Sequence, residues 1–129
     1  MPPKESRYPK DWLALAEKNL VRVRRSLRDR APELAAFCLQ QAVEKFLKAF
    51  LLSKGWKLRR IHDLEAPLDD AMVHDPSLDH FRNACQKITN YYVVERYPLA
   101  VETEFTKEEI RASLEAAGRL IEKIRKGMR

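Results

Sequence analysis

The first stretch of the chain repeats apolar residues with the period of an α-helix. Between residues 10 and 29 an apolar side chain returns every three or four positions, and most residues between them are polar or basic. Such spacing puts the apolar side chains on one face of a helix. The sequence therefore predicts a first helix over 10–29, whose core-facing stripe consists of Trp12, Ala16, Leu20, Val23 and Leu27.

A second helix is predicted over 32–54, with Pro32 in its first turn and Gly55 at its end. Its apolar residues occupy more than one face: Leu34, Cys38, Leu39, Ala42, Val43, Phe46, Leu47, Phe50 and Leu51. A helix this apolar needs cover on several sides and is expected at the centre of a bundle. Only a narrow polar stripe remains, made of Gln40, Gln41, Glu44, Lys45 and Lys48.

The rest of the chain predicts further helices. Residues 57–76 read as one or two short helices interrupted by Pro67, and a longer helix begins near Pro76 or Ser77. That helix should end before Pro98, with 93–105 as an extended connector. A last helix opens with Thr106 and Glu109, whose spacing matches a reciprocal cap. Its apolar seam is Ile110, Leu114, Ala117, Ile121, Ile124 and Met128. The fold class is therefore all-α, a four- to five-helix antiparallel up-and-down bundle.

Length and composition agree with a single domain over 1–129, in which residues 1–9 form a loose lead-in. The net charge of +6 suits a polyanionic ligand such as RNA or a nucleotide, although a well-solvated helical protein would show the same excess. Cys38 and Cys85 are expected to be buried thiols. Without a recognisable signal peptide or an apolar run of membrane-spanning length, a cytoplasmic location is expected and no membrane association.

Three short motifs resemble the HEPN family in their order along the chain. The second helix carries a Gln-Gln pair at 40–41, Glu-Lys at 44–45 and Lys-Ala at 48–49. His62-Asp63-Leu64 follows, and the fourth helix leads from Tyr92 to Arg96-Tyr97-Pro98. The resemblance implies a helical bundle that commonly dimerises and is often paired with a minimal nucleotidyltransferase, in toxin–antitoxin-like modules of prokaryotes. Many members are ribonucleases, and others bind nucleotides.

The ribonuclease motif of that family, an Arg followed after four to six residues by a His, is absent. No Arg stands at that distance before His62, His74 or His80, and the nearest approach is Lys57. The imidazole serves proton transfer or charge stabilisation at the cleaved phosphate. Cleavage by the usual mechanism is therefore not expected, and no catalytic residue is predicted. The Gly-Ser turn and acidic pair of a nucleotidyltransferase are also missing from the sequence, so that activity would come from a partner chain.

The predicted ligand contacts follow from residue chemistry and from the motifs. Arg offers a planar fork to phosphate and Tyr a stacking face to a base, while lysines on a polar stripe could meet a nucleotide in a groove. The predicted nucleotide- or phosphate-binding residues are Lys45, Lys48, His62, Arg82, Tyr92, Arg96 and Tyr97.

Structural roles compete for several of these positions. Arg96 could bond carbonyl groups at the helix end and Tyr97 could cap the core. Lys48 could form a solvated pair with Glu44 at i, i+4, and His62 could bond backbone. His74, Asp75, Asp79 and His80 have the residue types of metal ligands, but their spacing does not place a set on one helical face. No metal or other cofactor is predicted.

Three functions fit the sequence. The first is a homodimeric bundle that binds a nucleotide or an RNA phosphate near helices two and four and works with a minimal nucleotidyltransferase. The second is a ribonuclease with a non-standard set such as Arg82, His62 and Arg96. The third is a purely structural protein that dimerises or holds a partner through the apolar surfaces of the second and last helices.

Overall fold

The second helix is the centre of the fold in the computed structural model, which describes residues 6–56, 63–96 and 105–128, excluding the side chains of 92–96. This helix packs against every other helix of the bundle. The helices are α1 (Pro9–Arg28), α2 (Pro32–Ser53), α3 (Glu65–Met72), α4 (Arg82–Arg96), which continues a 3₁₀ turn over Pro76–Phe81, and α5 (Lys107–Gly127). The all-α bundle predicted from the sequence is confirmed.

The apolar faces of α2 are covered on several sides, as the sequence predicts. Leu39, Phe46 and Leu47 are fully buried, whereas Leu34 near the start of the helix is 49% exposed. α1 packs most extensively on α2, and α4 and α5 cover other faces of it. Because α1, α3, α4 and α5 all pack on α2, side chains from different parts of the chain meet around this helix.

The predicted stripe of α1 is buried, together with two polar residues, Asn19 and Ser26. The helix begins at Pro9, one residue before the predicted start. The segment before it is tied to α1, because the indole Nε1 of Trp12 donates to the carbonyl oxygen of Ser6 at 2.8 Å. The end of the predicted lead-in is therefore fixed from Ser6 onward.

Two predicted boundaries differ from the structure. Pro67 lies in the first turn of α3, where a backbone N–H has no helical partner, so it does not interrupt the helix. α4 runs to Arg96, so the first part of the predicted connector over 93–105 is helical. The remainder of that connector, 97–104, falls outside the described residues.

The structure contains one of the two hydrogen bonds predicted for the reciprocal cap of α5. The hydroxyl oxygen of Thr106 accepts a hydrogen bond from the backbone N–H of Glu109 at 3.1 Å. The carboxylate of Glu109 instead pairs with Lys87 of α4, with Nζ and Oε1 3.6 Å apart. The cap thus fixes the start of α5 while its glutamate contributes to the contact between α4 and α5.

Gly118 offers a simple way to stabilise α5. It lies inside the helix and is exposed, and a Cβ there would meet no atom within 4 Å. Replacing it with alanine should raise the free energy of unfolding by about 0.5–1 kcal/mol, because alanine loses less backbone entropy on folding. Denaturant unfolding measures this. Gly127→Ala is the matched control, since its Cβ would lie 2.8 Å from the ring of Phe50; an equal gain in both variants would contradict the explanation.

Candidate functional site

The polar stripe of α2 forms a continuous chain of hydrogen bonds that ends on Glu44. From one side, Nζ of Lys45 donates to Gln41 at 3.3 Å, and Nε2 of Gln41 donates to Gln40 at 2.7 Å. Nε2 of Gln40 then donates to Oε2 of Glu44 at 3.3 Å. From the other side, Nζ of Lys48 lies 3.2 Å from Oε1 of Glu44. All four donors are thus oriented along the chain toward one carboxylate.

The inner part of this chain is buried rather than solvated. Gln40, Glu44 and Lys48 are 0%, 5% and 6% exposed. Buried charges are costly unless they are paired and hydrogen-bonded, and here Lys48 has both Glu44 and the ring of Trp12, whose centroid is 4.7 Å from its Nζ. Lys48 is therefore an internally satisfied residue that holds α1 and α2 in register.

Lys45, at the outer end of the chain, has a different environment. Its pKa is lowered, first by partial burial, with Lys48 and Arg22 also lowering it and Glu44 opposing them. Its one hydrogen bond within the described part of the chain goes to the neutral amide of Gln41. An anion at this position would relieve both the desolvation of the ammonium and its repulsion by neighbouring cations.

Asn19 of α1 is an unexpected part of the same region. Its Oδ1 accepts from Nη1 of Arg22 at 3.3 Å, yet its Nδ2 is buried and has no hydrogen-bond partner among the described residues. An unsatisfied buried donor costs about 1–3 kcal/mol, so an acceptor placed there would stabilise the site. We call Asn19, Arg22, Gln41 and Lys45 the α1–α2 polar face.

The α1–α2 polar face presents donors suited to an anion. Arg22 and Lys45 are both cationic, and within the described residues each donates to a neutral amide only. Next to Arg22, Asn19 has a buried N–H group without a partner among the described residues. Phosphate and carboxylate oxygens are the acceptors that such a set recognises. The sequence predicted Lys45 as a ligand contact but not Asn19. The feature that could have indicated Asn19 is an amide side chain within the apolar stripe of α1.

Arg82, one of the predicted phosphate ligands, is held by carboxylates instead. Its Nε lies 2.9 Å from Asp79, and its two Nη atoms lie 2.5 Å from Asp69 and 3.4 Å from Glu65. Hydrogen bonds to Asp69 and Asp79 raise its pKa further. This cluster joins α3 to the start of α4, and its negative charge disfavours a phosphate at the guanidinium.

The other predicted contacts are not described by the structure. His62 and Tyr97 lie outside the described residues, and so do the side chains of Tyr92 and Arg96. Their roles stay predictions. The neighbouring Tyr91 is buried, and its hydroxyl lies 2.7 Å from Oγ of Ser113.

The two cysteines are buried thiols, as the sequence predicts. Burial raises the pKa of Cys85 to about 12. Among the residues that the structure covers, no group of three or more His, Cys, Asp and Glu side chains is arranged to hold a metal ion. In the same part of the chain, no helix has both the length and the apolar character needed to cross a bilayer.

Comparison with known proteins identifies the family. Two solved structures share the fold: an archaeal HEPN homologue, ST0689, at 22% identity and a TM-score of 0.77, covering 95% of this chain and 98% of that one, and TT1696 from Thermus thermophilus, at 26% identity and a TM-score of 0.76, covering 92% and 97%. No curated protein matches the chain. The family model described as the HEPN domain matches residues 9–127. The resemblance inferred from the α2 and downstream motifs is thereby confirmed, and the chain belongs to the HEPN domain family.

Proposed function

We propose that this protein binds a phosphate group of a nucleotide or of RNA at the α1–α2 polar face. The observation that carries the proposal is the proximity of two cations, Arg22 and Lys45, together with the contact of Arg22 with Asn19, whose side-chain N–H group is buried and has no partner among the described residues. A phosphate oxygen would accept from Arg22 and Lys45, and from Asn19 after its buried side chain turns outward. It would also remove the desolvation and repulsion that lower the pKa of Lys45.

The buried chain behind this face supports the same function. Gln41 connects Lys45 to Gln40, and Gln40 connects to Glu44. Because Gln40 and Glu44 are buried and the half-buried Gln41 is hydrogen-bonded to Gln40, the ammonium of Lys45 is held in one orientation before a ligand arrives. A pre-oriented donor loses less conformational entropy on binding than a mobile surface lysine does.

We further propose that the protein acts in the cytoplasm as a homodimer beside a minimal nucleotidyltransferase, in a module of toxin–antitoxin type. Membership of the HEPN family supports this assembly. The sequence lacks the Gly-Ser turn and acidic pair of the transferase, so phosphoryl transfer would belong to the partner chain. Sedimentation would test the dimer, which should run as two copies of the 15.1 kDa chain; a monomer at micromolar concentration contradicts it.

Isothermal titration with ATP, GTP and a short single-stranded RNA tests phosphate binding. At least one ligand should bind with an affinity that falls as salt is raised, as ionic contacts to phosphate require. The Arg22→Gln/Lys45→Gln double variant should lose about tenfold or more in affinity. Arg119→Gln/Lys126→Gln, which removes two exposed charges on α5 away from Arg22 and Lys45, is the control. Absence of heat with all three ligands, or equal loss in both double variants, would overturn the proposal.

A further inference from the structure

A second cationic surface lies on the opposite flank of α1. It is an open groove of about 420 Å³ between α1 and α5, within the range of about 300–1,000 Å³ that ligand sites occupy. We call it the α1–α5 groove; the described residues that line it are Val21, Arg24, Leu27, Arg28, Lys107, Arg111 and Leu114. Arg24 and Arg22 are about 200° apart around the axis of α1, so this groove is separate from the α1–α2 polar face.

The groove exists because α1 and α5 both pack on α2 rather than closely on each other. At one point the two outer helices are joined directly, where Nε and Nη2 of Arg125 donate to Glu17 at 2.6–2.9 Å. This bidentate pair lies near the middle of α1 and the end of α5. It fixes the spacing of the helices there, while near the end of α1 and the start of α5 they leave a gap.

Four cations line the groove, two on each wall. Arg24 and Arg28 are one turn apart on α1, and Lys107 and Arg111 are one turn apart on α5, which corresponds to about 6 Å along each axis. Among the described residues, no carboxylate lines the groove, and no ion pair joins any of the four cations to another residue. The four cations therefore repel one another, and an occupant carrying negative charges on both sides would neutralise this repulsion.

Aliphatic side chains also line the groove, and they indicate which class of anionic ligand fits it. Val21 is 48% exposed, and Leu114 is half-buried beside it. A sugar–phosphate backbone would leave these side chains without apolar contacts, and no aromatic ring on which a base could stack is found among the described lining residues. Carboxylates combined with leucine-like side chains would satisfy both the cations and the aliphatic floor.

We propose that the α1–α5 groove docks an acidic amphipathic segment of a partner protein. In a helical segment, carboxylates one turn apart would match the spacing of Arg24 and Arg28 on one wall and of Lys107 and Arg111 on the other. An aliphatic stripe between them would cover Val21 and Leu114. This is the mode in which an amphipathic helix lies in a groove through anchors at helical spacing.

Fluorescence anisotropy with a labelled synthetic peptide tests the proposal. The peptide carries Glu at i and i+4 on two flanks of a leucine stripe, and a second peptide has serine in place of each leucine. The first should bind the wild-type protein, and binding should fall about tenfold or more for Arg24→Gln/Arg111→Gln. Arg25→Gln/Arg119→Gln, with the same change of charge on exposed residues outside the groove, should retain it.

Other outcomes would overturn the proposal. These are no binding of the leucine peptide, equal binding of the serine peptide, or equal loss in the two double variants. A labelled single-stranded RNA that binds wild type and is lost selectively in Arg24→Gln/Arg111→Gln, while the peptide does not compete with it, would assign the groove to nucleic acid instead. Because none of these substitutions touches Asn19, Arg22 or Lys45, failure here leaves the phosphate-binding proposal to its own test.

Discussion

Replacing Phe46 with alanine is expected to lower the free energy of unfolding by about 3–5 kcal/mol. The ring is fully buried in α2, and the guanidinium carbon of Arg125 lies 5.5 Å from its centroid. Removing the ring would leave a cavity where the central helix meets α5, and would also remove the surface on which Arg125 is held. Since a domain of this kind is stabilised by about 5–15 kcal/mol in total, the variant should be partly or largely unfolded at moderate denaturant.

Leu34→Ala is the matched control for this prediction. Leu34 lies on the same helix but is 49% exposed, so its loss should cost less than about 1 kcal/mol. Guanidinium unfolding followed by circular dichroism would give both values. If Phe46→Ala and Leu34→Ala cost the same, α2 is not the central helix of the bundle.

Glu44→Gln is expected to cost about 3–5 kcal/mol, because it leaves the ammonium of Lys48 buried without its counter-charge. The two side chains are 7% and 8% exposed, and their charged atoms are 3.2 Å apart. The substitution keeps the size of the side chain, so lost packing contributes little. Chemical denaturation would measure the change in the free energy of unfolding.

Two further variants separate the buried pair from an ordinary surface pair. Glu115 and Arg119 of α5 have the same i, i+4 spacing but are 79% and 62% exposed, so Glu115→Gln should change stability by less than about 0.5 kcal/mol. Adding Lys48→Met to Glu44→Gln removes the unpaired charge and should recover much of the loss. A double variant no more stable than Glu44→Gln would show that the charge of Lys48 is not the cause.

The helices were predictable because apolar periodicity reports directly which face of a helix must be covered. The stripes of α1 and α5 and the apolar surface of α2 are buried much as the sequence indicates. Local chemistry also fixed the cap at Thr106. The position of Pro67 is harder to predict. A proline disrupts a helix from an interior position but is tolerated in the first turn, and periodicity alone does not show where a short helix begins.

The candidate site was predictable only in part. The sequence identified the polar stripe of α2, but whether Gln40 and Lys48 face solvent depends on which helices cover them. The sequence around Arg82 does not predict its pairing with Asp69 and Glu65, because these residues are 13 and 17 positions away. The α1–α5 groove likewise depends on the distance between two helices that lie far apart in sequence.

Nuclear magnetic resonance of the side-chain amide of Asn19 tests the central claim most directly. In ¹⁵N-labelled protein, its signals would be assigned by their loss in Asn19→Ala. Addition of the nucleotide or RNA that binds in calorimetry should shift them, because the proposal places a phosphate oxygen on the unpaired Nδ2. If the ligand binds while these signals stay unchanged and other regions shift, the phosphate does not occupy the α1–α2 polar face.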